Sequence, residues 1–352
     1  MNILQKALTQ LFVGANLGCI LLLWGSCLST WISPASHPIL STIGLAFPIF
    51  LFLNALFVLF WLIFRIKYIW IPLAGIACVA SFIQDYCPFH TNSGEAPEGA
   101  VKVLSFNTFG VHSQGQKDSL LTLLREENAD IVCLQEMPGS WINQKETKQL
   151  IEDLGYHATQ KGQFVTLTHF PILQESFEKD LFECDGRSVA CLVDFEGENL
   201  LIINNHLASY QITPDERAEY KDMMKDPKKE KVKSSGHMLL DRISTANVIR
   251  ATQTDSLYLA LGHHENTRIV MCGDFNDTPI SYTYQKLLKR LKNTFRESGI
   301  GVGRSFNEKG FFVRIDHIFV SHDWTSHKTC ILSQIKLSDH YPIVTYLTKK
   351  VK

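Results

Sequence analysis

Apolar residues run almost unbroken through roughly the first eighty positions, then give way near residue 95 to short runs in which apolar and polar positions alternate. The first part holds apolar stretches at residues 8–28, 39–64 and 68–83. Each approaches the roughly 20 apolar residues that cross a bilayer as a helix, the last only narrowly. Trp31, Trp61, Tyr68 and Trp70 flank these stretches, where an aromatic belt would lie. Further apolar stretches follow the first, and no small-residue cleavage pattern surrounds Cys27, so the first reads as a span rather than a signal peptide. Residues 1–86 therefore read as a membrane anchor of about three transmembrane helices, and 87–100, with its Gly, Pro and Glu, as a linker.

From residue 101 onward the periodicity changes. Residues 101–106, 131–135, 164–168, 188–195, 200–205, 268–272, 315–321 and 343–347 read as strands. Leu120, Leu121, Leu123 and Leu124 give 118–127 a helical stripe, and 242–261 reads as a long amphipathic helix. No repeat of 20–50 residues is visible. Strands and helices interleaved in this way predict a layered α/β domain over 101–352. Its acids, amides and histidines fall at the ends of strands: Asn107, Glu136, His206, Asp274 with Asn276, then Asp316 and His340 around the last strands. Strand ends let a rigid scaffold aim polar side chains into one cleft.

Composition changes this picture only in places. The formal net charge is -1, which excludes a chain that coats nucleic acid by bulk charge but not an enzyme with a local basic rim. Lys228, Lys229, Lys231 and Lys233 could form such a rim, or a solvated loop. The 9 cysteines show no zinc spacing. Cys133 and Cys272 sit in strand-like runs as buried thiols, and Cys184 and Cys191 could pair only in an oxidising compartment. Lys6 precedes the first span, Arg65 and Lys67 separate the second from the third, and the turn at 34–38 has no Lys or Arg. With three crossings these basic residues share one side, which places the N-terminus in the cytoplasm and the large domain outside it. If the third stretch does not cross, the domain lies in the cytoplasm.

The residue types suit phosphate-ester cleavage, which needs charge neutralised at phosphoryl oxygens, an activated water and help for the leaving oxygen. Asn107 and Glu136 are hard oxygen ligands that suit Mg²⁺. Asp274 and Asn276 alternate around one turn and present an acceptor and a donor to one substrate. His340 has Asp339 beside it and Asp316 available from a neighbouring strand; an imidazole held by a carboxylate can act as a base or stabilise charge. His206 is then free to contact phosphate or assist the leaving group. Each of these alone has an ordinary reading as a salt-bridged acid, a satisfied polar residue or a turn.

The ordered set resembles the endonuclease/exonuclease/phosphatase superfamily. The strings are Leu104-Ser105-Phe106-Asn107, Asp130-Ile131-Val132-Cys133-Leu134-Gln135-Glu136, Asn204-Asn205-His206-Leu207, Gly273-Asp274-Phe275-Asn276, Arg314-Ile315-Asp316-His317-Ile318 and Ser338-Asp339-His340-Tyr341-Pro342. The resemblance spans about 101–347 and implies a four-layer α/β/β/α sandwich of two mixed β-sheets, preceded here by the transmembrane helices. It implies Glu136 and Asn107 at an essential metal, Mg²⁺ or Mn²⁺, with Asp339 at its edge. It implies Asp274 and Asn276 placing water and phosphate, and an Asp316–His340 pair. Asn107, Arg187, His206 and Asn276 are the implied substrate contacts, with pairing to an acid the equal alternative for Arg187. His206 resembles the histidine of the deoxyribonuclease-like branch. The proton of the attacking water is taken by Asp274 or by His340.

Departures from the family bear on substrate. Thr168-His169-Phe170-Pro171-Ile172 stands where the family usually carries Gly-Gly and Ser. Asp277-Thr278-Pro279 and Val313-Arg314-Ile315-Asp316 lack the strings of inositol polyphosphate phosphatases, and the tyrosine motif of abasic-site repair enzymes is missing. The expected activity is a membrane-anchored, metal-dependent nuclease-like phosphodiesterase. A lipid head group or small phosphoester is the alternative substrate, and an inactive membrane-tethered binding module the alternative class. No protein partner is inferred. Residues 210–233 could cap the cleft, while Arg242, Arg250 and Gln253 read as helix-surface residues.

Overall fold

The computed structural model describes residues 3–90, 96–111, 113–175, 187–210, 229–308 and 312–350, with the side chains of 229–235 left aside. The loop proposed as a cap, the lysine run and Cys184 lie outside the described residues or side chains. The chain forms two compact units. One comprises Met1–Asp85, Tyr210–Ala251 and Ile280–Gln285; the other comprises Tyr86–Ser209, Thr252–Pro279 and Lys286–Lys352. The first unit thus takes in two stretches that the sequence pattern assigns to the soluble part.

In the first unit, Ile3–Thr30 and Pro38–Phe64 are long and apolar enough to cross a membrane. The third stretch is not one straight helix: Ile66–Ala77 and Ala80–Tyr86 meet at a bend of 64°. Asn16 and Asn54, both fully buried, tie these helices together. Trp61 Nε1 donates to Asn16 Oδ1 at 3.1 Å, and Asn54 Nδ2 donates to the Cys19 carbonyl at 3.1 Å. Polar groups in an apolar segment must find partners inside the protein, because lipid offers none.

The second unit is built on two six-stranded sheets. The strands are β1 (Val101–Asn107), β2 (Ile131–Gln135), β3 (His157–Lys161), β4 (Phe164–Thr168), β5 (Ile172–Glu175), β6 (Ser188–Phe195), β7 (Glu198–His206), β8 (Arg268–Asp274), β9 (Lys292–Asn293), β10 (Asp316–Val320), β11 (Trp324–Ile331) and β12 (Ile343–Lys349). One sheet runs β11-β12-β1-β2-β4-β3, the other β5-β6-β7-β8-β10-β9. Each has one parallel pair at its centre, β1 with β2 and β7 with β8, and antiparallel neighbours elsewhere. The paired central strands therefore end at the same edge of their sheet, and β10 and β12, antiparallel to β8 and β1, begin there.

Side-chain parity sets what faces that edge. Strand residues two apart share a face. Val101 and Val103, Ile131 and Cys133, Leu200 and Ile202, Val270 and Cys272, and Ile318 and Val320 form one core between the sheets. Continuing each row by two residues at a time reaches Asn107, Gln135, His206, Asp274 and Asp316. The apolar layer thus ends in a polar mouth. Between them lies a buried polar tier: Gln135 Nε2 donates to Asn204 Oδ1 at 2.7 Å and to Ser105 Oγ at 3.3 Å. Asn204 Nδ2 donates in turn to the Leu134 and Val165 carbonyls at 3.1 and 3.0 Å, joining one sheet to the other. The opposite face of the first sheet, with Leu104, Phe106, Val132 and Leu134, is covered by Leu120, Leu121, Leu123 and Leu124. Their helix, Gln114–Glu127, starts at a capping box of Ser113 and Gln116.

Gly273 is required by this architecture. Its φ is +140°, and a Cβ there would stand 2.0 Å from the Asn205 carbonyl oxygen of the adjacent strand. Gly273→Ala should therefore destabilise the protein by about 3 kcal/mol or more, lowering the melting temperature of the full chain in detergent by roughly 6–12 °C. A melting temperature within a degree of wild type would contradict this assignment.

Candidate active site

The carboxylates at the polar mouth are linked by amide and imidazole groups. Asn107, buried at the end of β1, donates through Nδ2 to Glu136 Oε1 at 2.9 Å and to Asp274 Oδ2 at 3.0 Å. Its Oδ1 accepts from the Phe109 N–H at 3.1 Å, which fixes the amide's orientation. His206 Nε2 stands 3.4 Å from Glu136 Oε1 and 3.8 Å from Asp274 Oδ2. His340 Nε2 lies 3.6 Å from the same Asp274 oxygen, and its Nδ1 lies 2.8 Å from Asp316 Oδ2. Glu136, Asn107, Asp274, His340 and Asp316 thus form one continuous polar chain, with His206 bridging its first half. Asp274 pairs in register with His206 on one side and Asp316 on the other.

Local backbone shape aims these groups. Glu136 and Asn276 have positive φ values, +56° and +51°. Such strain in a non-glycine residue costs of order 1–3 kcal/mol and gathers at functional sites. Asn276 forms a tight turn: its N–H donates to Asp274 Oδ1 at 2.8 Å, and its Nδ2 donates to the Leu207 carbonyl at 3.0 Å. Asp339 is half-buried and accepts from Ser338 Oγ at 3.3 Å. Arg187 is half-buried just before β6, and its carbonyl accepts the His206 N–H at 2.9 Å.

The electrostatics follow from this placement. Burial alone would discharge the His340 imidazolium, but the charges of Asp316 and Asp274, the Asp316 hydrogen bond and Asp339 outweigh it and raise its pKa to about 10. Burial raises the Asp274 carboxyl above its ordinary value, and Asp316 adds to this against the opposing pull of His340, His206 and the Asn276 N–H. Asp274, Asp316 and His340 offer ligand atoms that all lie within 4.8 Å of one another, so this trio could hold a metal ion. Glu136 differs from them. Its side chain is 27% exposed, against 2% for Asp274 and Asp316.

The catalytic candidates His206, Asp274, Asn276, Asp316 and His340 all come together with Asn107 and Glu136. Three residues were misread or missed from sequence. Gln253 is not a surface residue but buried, and its Oε1 accepts the Ala208 N–H at 3.0 Å, steadying the chain just past His206. Arg250 is also fully buried, with its guanidinium 4.5 Å from the Tyr210 ring centre. Ser305, which belongs to no motif, accepts through Oγ from the N–H groups of Ile315 and Asp316 at 3.0 and 3.1 Å. Its N–H and carbonyl also clamp Val313 and Tyr341. Only a long-range backbone pairing signals this role.

A family model described as the Endonuclease/Exonuclease/phosphatase family matches residues 104–340. A second model, a domain of unknown function, matches residues 9–86. No curated protein matches the chain. Among solved structures, the human Nocturnin catalytic domain with bound sulfate anion is 15% identical, with a TM-score of 0.50 over 71% of this chain and 94% of its own. ANGEL2, a 2',3'-cyclic phosphatase, is 15% identical, with a TM-score of 0.49 over 72% of this chain and 96% of its own. The mannosyl-6-phosphatase of Bacteroides thetaiotaomicron VPI-5482 is 16% identical, with a TM-score of 0.45 over 70% and 99%.

In chelator-treated protein, the His340 ring should stay protonated through pH 8 and lose its proton only near 10. Because this folded-state value lies above the ordinary 6.5, the stability the charged ring contributes is complete below pH 6.5 and is lost as pH rises toward 10. Histidine ring NMR should show this titration, and Asp316→Asn should move it down. A wild-type ring that titrates in the ordinary histidine range would contradict the assigned pairing.

Proposed function

Because this chain belongs to the Endonuclease/Exonuclease/phosphatase family, we propose that it is a membrane-anchored hydrolase of phosphodiester bonds that depends on Mg²⁺ or Mn²⁺. The observation that carries this reading is the unbroken polar chain from Glu136 to Asp316. Asn107 and Glu136 would hold the metal, with Asp339 at its edge. Glu136 suits this role because it is the acid of the set that opens to solvent, and Mg²⁺ takes few carboxylates and keeps several waters. The Asp274, Asp316 and His340 trio is the competing seat. We prefer Glu136 because Asp316 and His340 already meet in a charge-assisted bond of 2.8 Å, which an ion between them would have to displace. When bound, the metal would neutralise phosphoryl charge and acidify a water.

The chain's own groups supply the rest. Asp316 fixes the His340 ring through Nδ1 and turns Nε2 toward Asp274. Asp274 and His340 act as one acid–base pair that receives the proton of the attacking water. Asn276 would hold a phosphoryl oxygen beside them, and His206 the phosphate or leaving oxygen. Arg187, next to His206 through the backbone, would face the substrate. A nucleic-acid strand is the first substrate class. A lipid head group or other small phosphoester is the second.

The anchor contacts also support three crossings. Ser29, in the last turn of the first span, stands 3.4 Å through Oγ from the Ile280 carbonyl. Gln285 Nε2 donates to Asp85, near the end of the bent pair, at 2.8 Å. One short segment meets both ends, which supports the reading that both lie on one face and that the bent pair crosses. The basic residues Lys6, Arg65 and Lys67 then mark the cytoplasmic side.

Glu136→Ala should lower Mg²⁺-dependent hydrolysis by on the order of a thousand-fold, assayed on plasmid DNA, RNA, sphingomyelin and a chromogenic bis-phosphodiester. Full activity in that variant would remove Glu136 from the metal site. Protease added to sealed vesicles with the extracytoplasmic face outward should digest the catalytic unit; protection until detergent is added would place it in the cytoplasm.

A further inference from the structure

Directly after Asn107 the chain makes a turn that lies wholly within the catalytic unit. Two buried residues pin it. The Thr108 N–H and Oγ1 both donate to the Gln135 carbonyl at 3.0 Å. Val111 joins the core that holds Leu120 and Leu121, and its N–H donates to the Thr108 carbonyl at 3.4 Å. Between these two, Phe109 is 51% exposed. Phe109, Gly110 and Val111 have φ values of +48°, +80° and +35°. Only the middle one is a glycine, so the backbone of the other two is strained, a condition that gathers at ligand sites. A glycine at 109 would relieve that residue; the turn instead holds an aromatic ring out in water. The Phe109 N–H donates to Asn107 Oδ1 at 3.1 Å, on the same amide whose Nδ2 bonds Glu136 and Asp274. The Phe109 and Asn107 Cα atoms lie within about 7 Å along the chain. The ring is thus mounted on the amide that joins the acids of the mouth.

We propose that Phe109 is a stacking platform for a nucleobase beside the scissile phosphate, and that the substrate is therefore single-stranded nucleic acid. This rests on the hydrolase reading above and narrows it. Every base has a π-face, so a ring next to a phosphate site holds a strand whatever its sequence. In a duplex that face is covered by the neighbouring pairs. Stacking also supplies affinity that bulk charge does not, since the formal net charge of the chain is -1. A lipid surface is the poorer match. Such a surface is held by many apolar side chains at once, whereas exposed Ser113 and Gln114 follow Phe109 along the chain.

The test uses the full chain in detergent with Mg²⁺ or Mn²⁺. The substrates are a single-stranded oligodeoxynucleotide, its duplex, a strand of equal length with tetrahydrofuran spacers in place of the nucleosides, and sphingomyelin vesicles. For wild type, KM should be roughly 5- to 150-fold lower on the base-bearing single strand than on the spacer strand. Phe109→Ala should raise KM on the base-bearing strand by that factor, with kcat close to wild type and the spacer strand unaffected. Phe109→Trp should keep the wild-type KM, while Phe109→Leu, apolar but without a π-face, should behave as Phe109→Ala. No change in Phe109→Ala, a loss shared by both strands, or a fall in kcat alone would overturn the inference. So would a wild-type preference for the duplex, or an effect of Phe109→Ala confined to sphingomyelin. Hydrolysis of sphingomyelin or bis-p-nitrophenyl phosphate without any of nucleic acid would leave the hydrolase reading standing and overturn this inference. Hydrolysis of none of these by wild type would overturn both.

Discussion

Carboxylates at the end of an apolar layer must have their charge cancelled, and the arrangement of this site answers that constraint. Asp274 and Asp316 are almost wholly buried on adjacent strands, in direct register. Left alone they would repel one another and resist ionisation. His340 lies against both, 2.8 Å from Asp316 and 3.6 Å from Asp274, while Asn107 and His206 connect Asp274 to the more open Glu136. Removing His340 would leave two buried carboxylates side by side without their shared partner, so this contact is needed for the mouth to fold.

Strand parity explains why those groups meet at all. Rows of Val, Ile and Cys between the sheets end in Asn107, His206, Asp274 and Asp316, with the tier of Ser105, Gln135 and Asn204 as the transition. Much of this was legible in the sequence: the strands through residues 101–106, 131–135, 188–195 and 268–272 show as short, apolar-rich runs, and site residues stand at the ends of most of them. The sequence places Asn107, His206 and Asp274 just past the strands; they are instead the last residues of β1, β7 and β8, so the ladder itself holds them.

What could not be read locally depends on distant pairing. β3, β5 and β11 carry mixed or short patterns that resemble loops until a neighbour is in place. Ser305 has no motif around it, because its hydroxyl serves backbone groups about ten residues on. Arg250 and Gln253 sit on a helical run whose burial depends on what covers it, so their charge and polarity suggested a surface that does not exist. The bend after Ala77 likewise breaks a run that composition alone makes continuous. The extent of the first unit was hidden for the same reason: Ile280–Gln285 reads as soluble and belongs with the spans.

The central claim is that Glu136 holds one ion beside the Asp274–His340–Asp316 cluster. Anomalous scattering from Mn²⁺ soaked into crystals of the full chain tests it most directly. The account predicts a single strong peak about 2.1 Å from a Glu136 carboxylate oxygen, with the Asp316–His340 contact intact. A peak seated instead among Asp274, Asp316 and His340, with that contact broken and Glu136 bare, would contradict it.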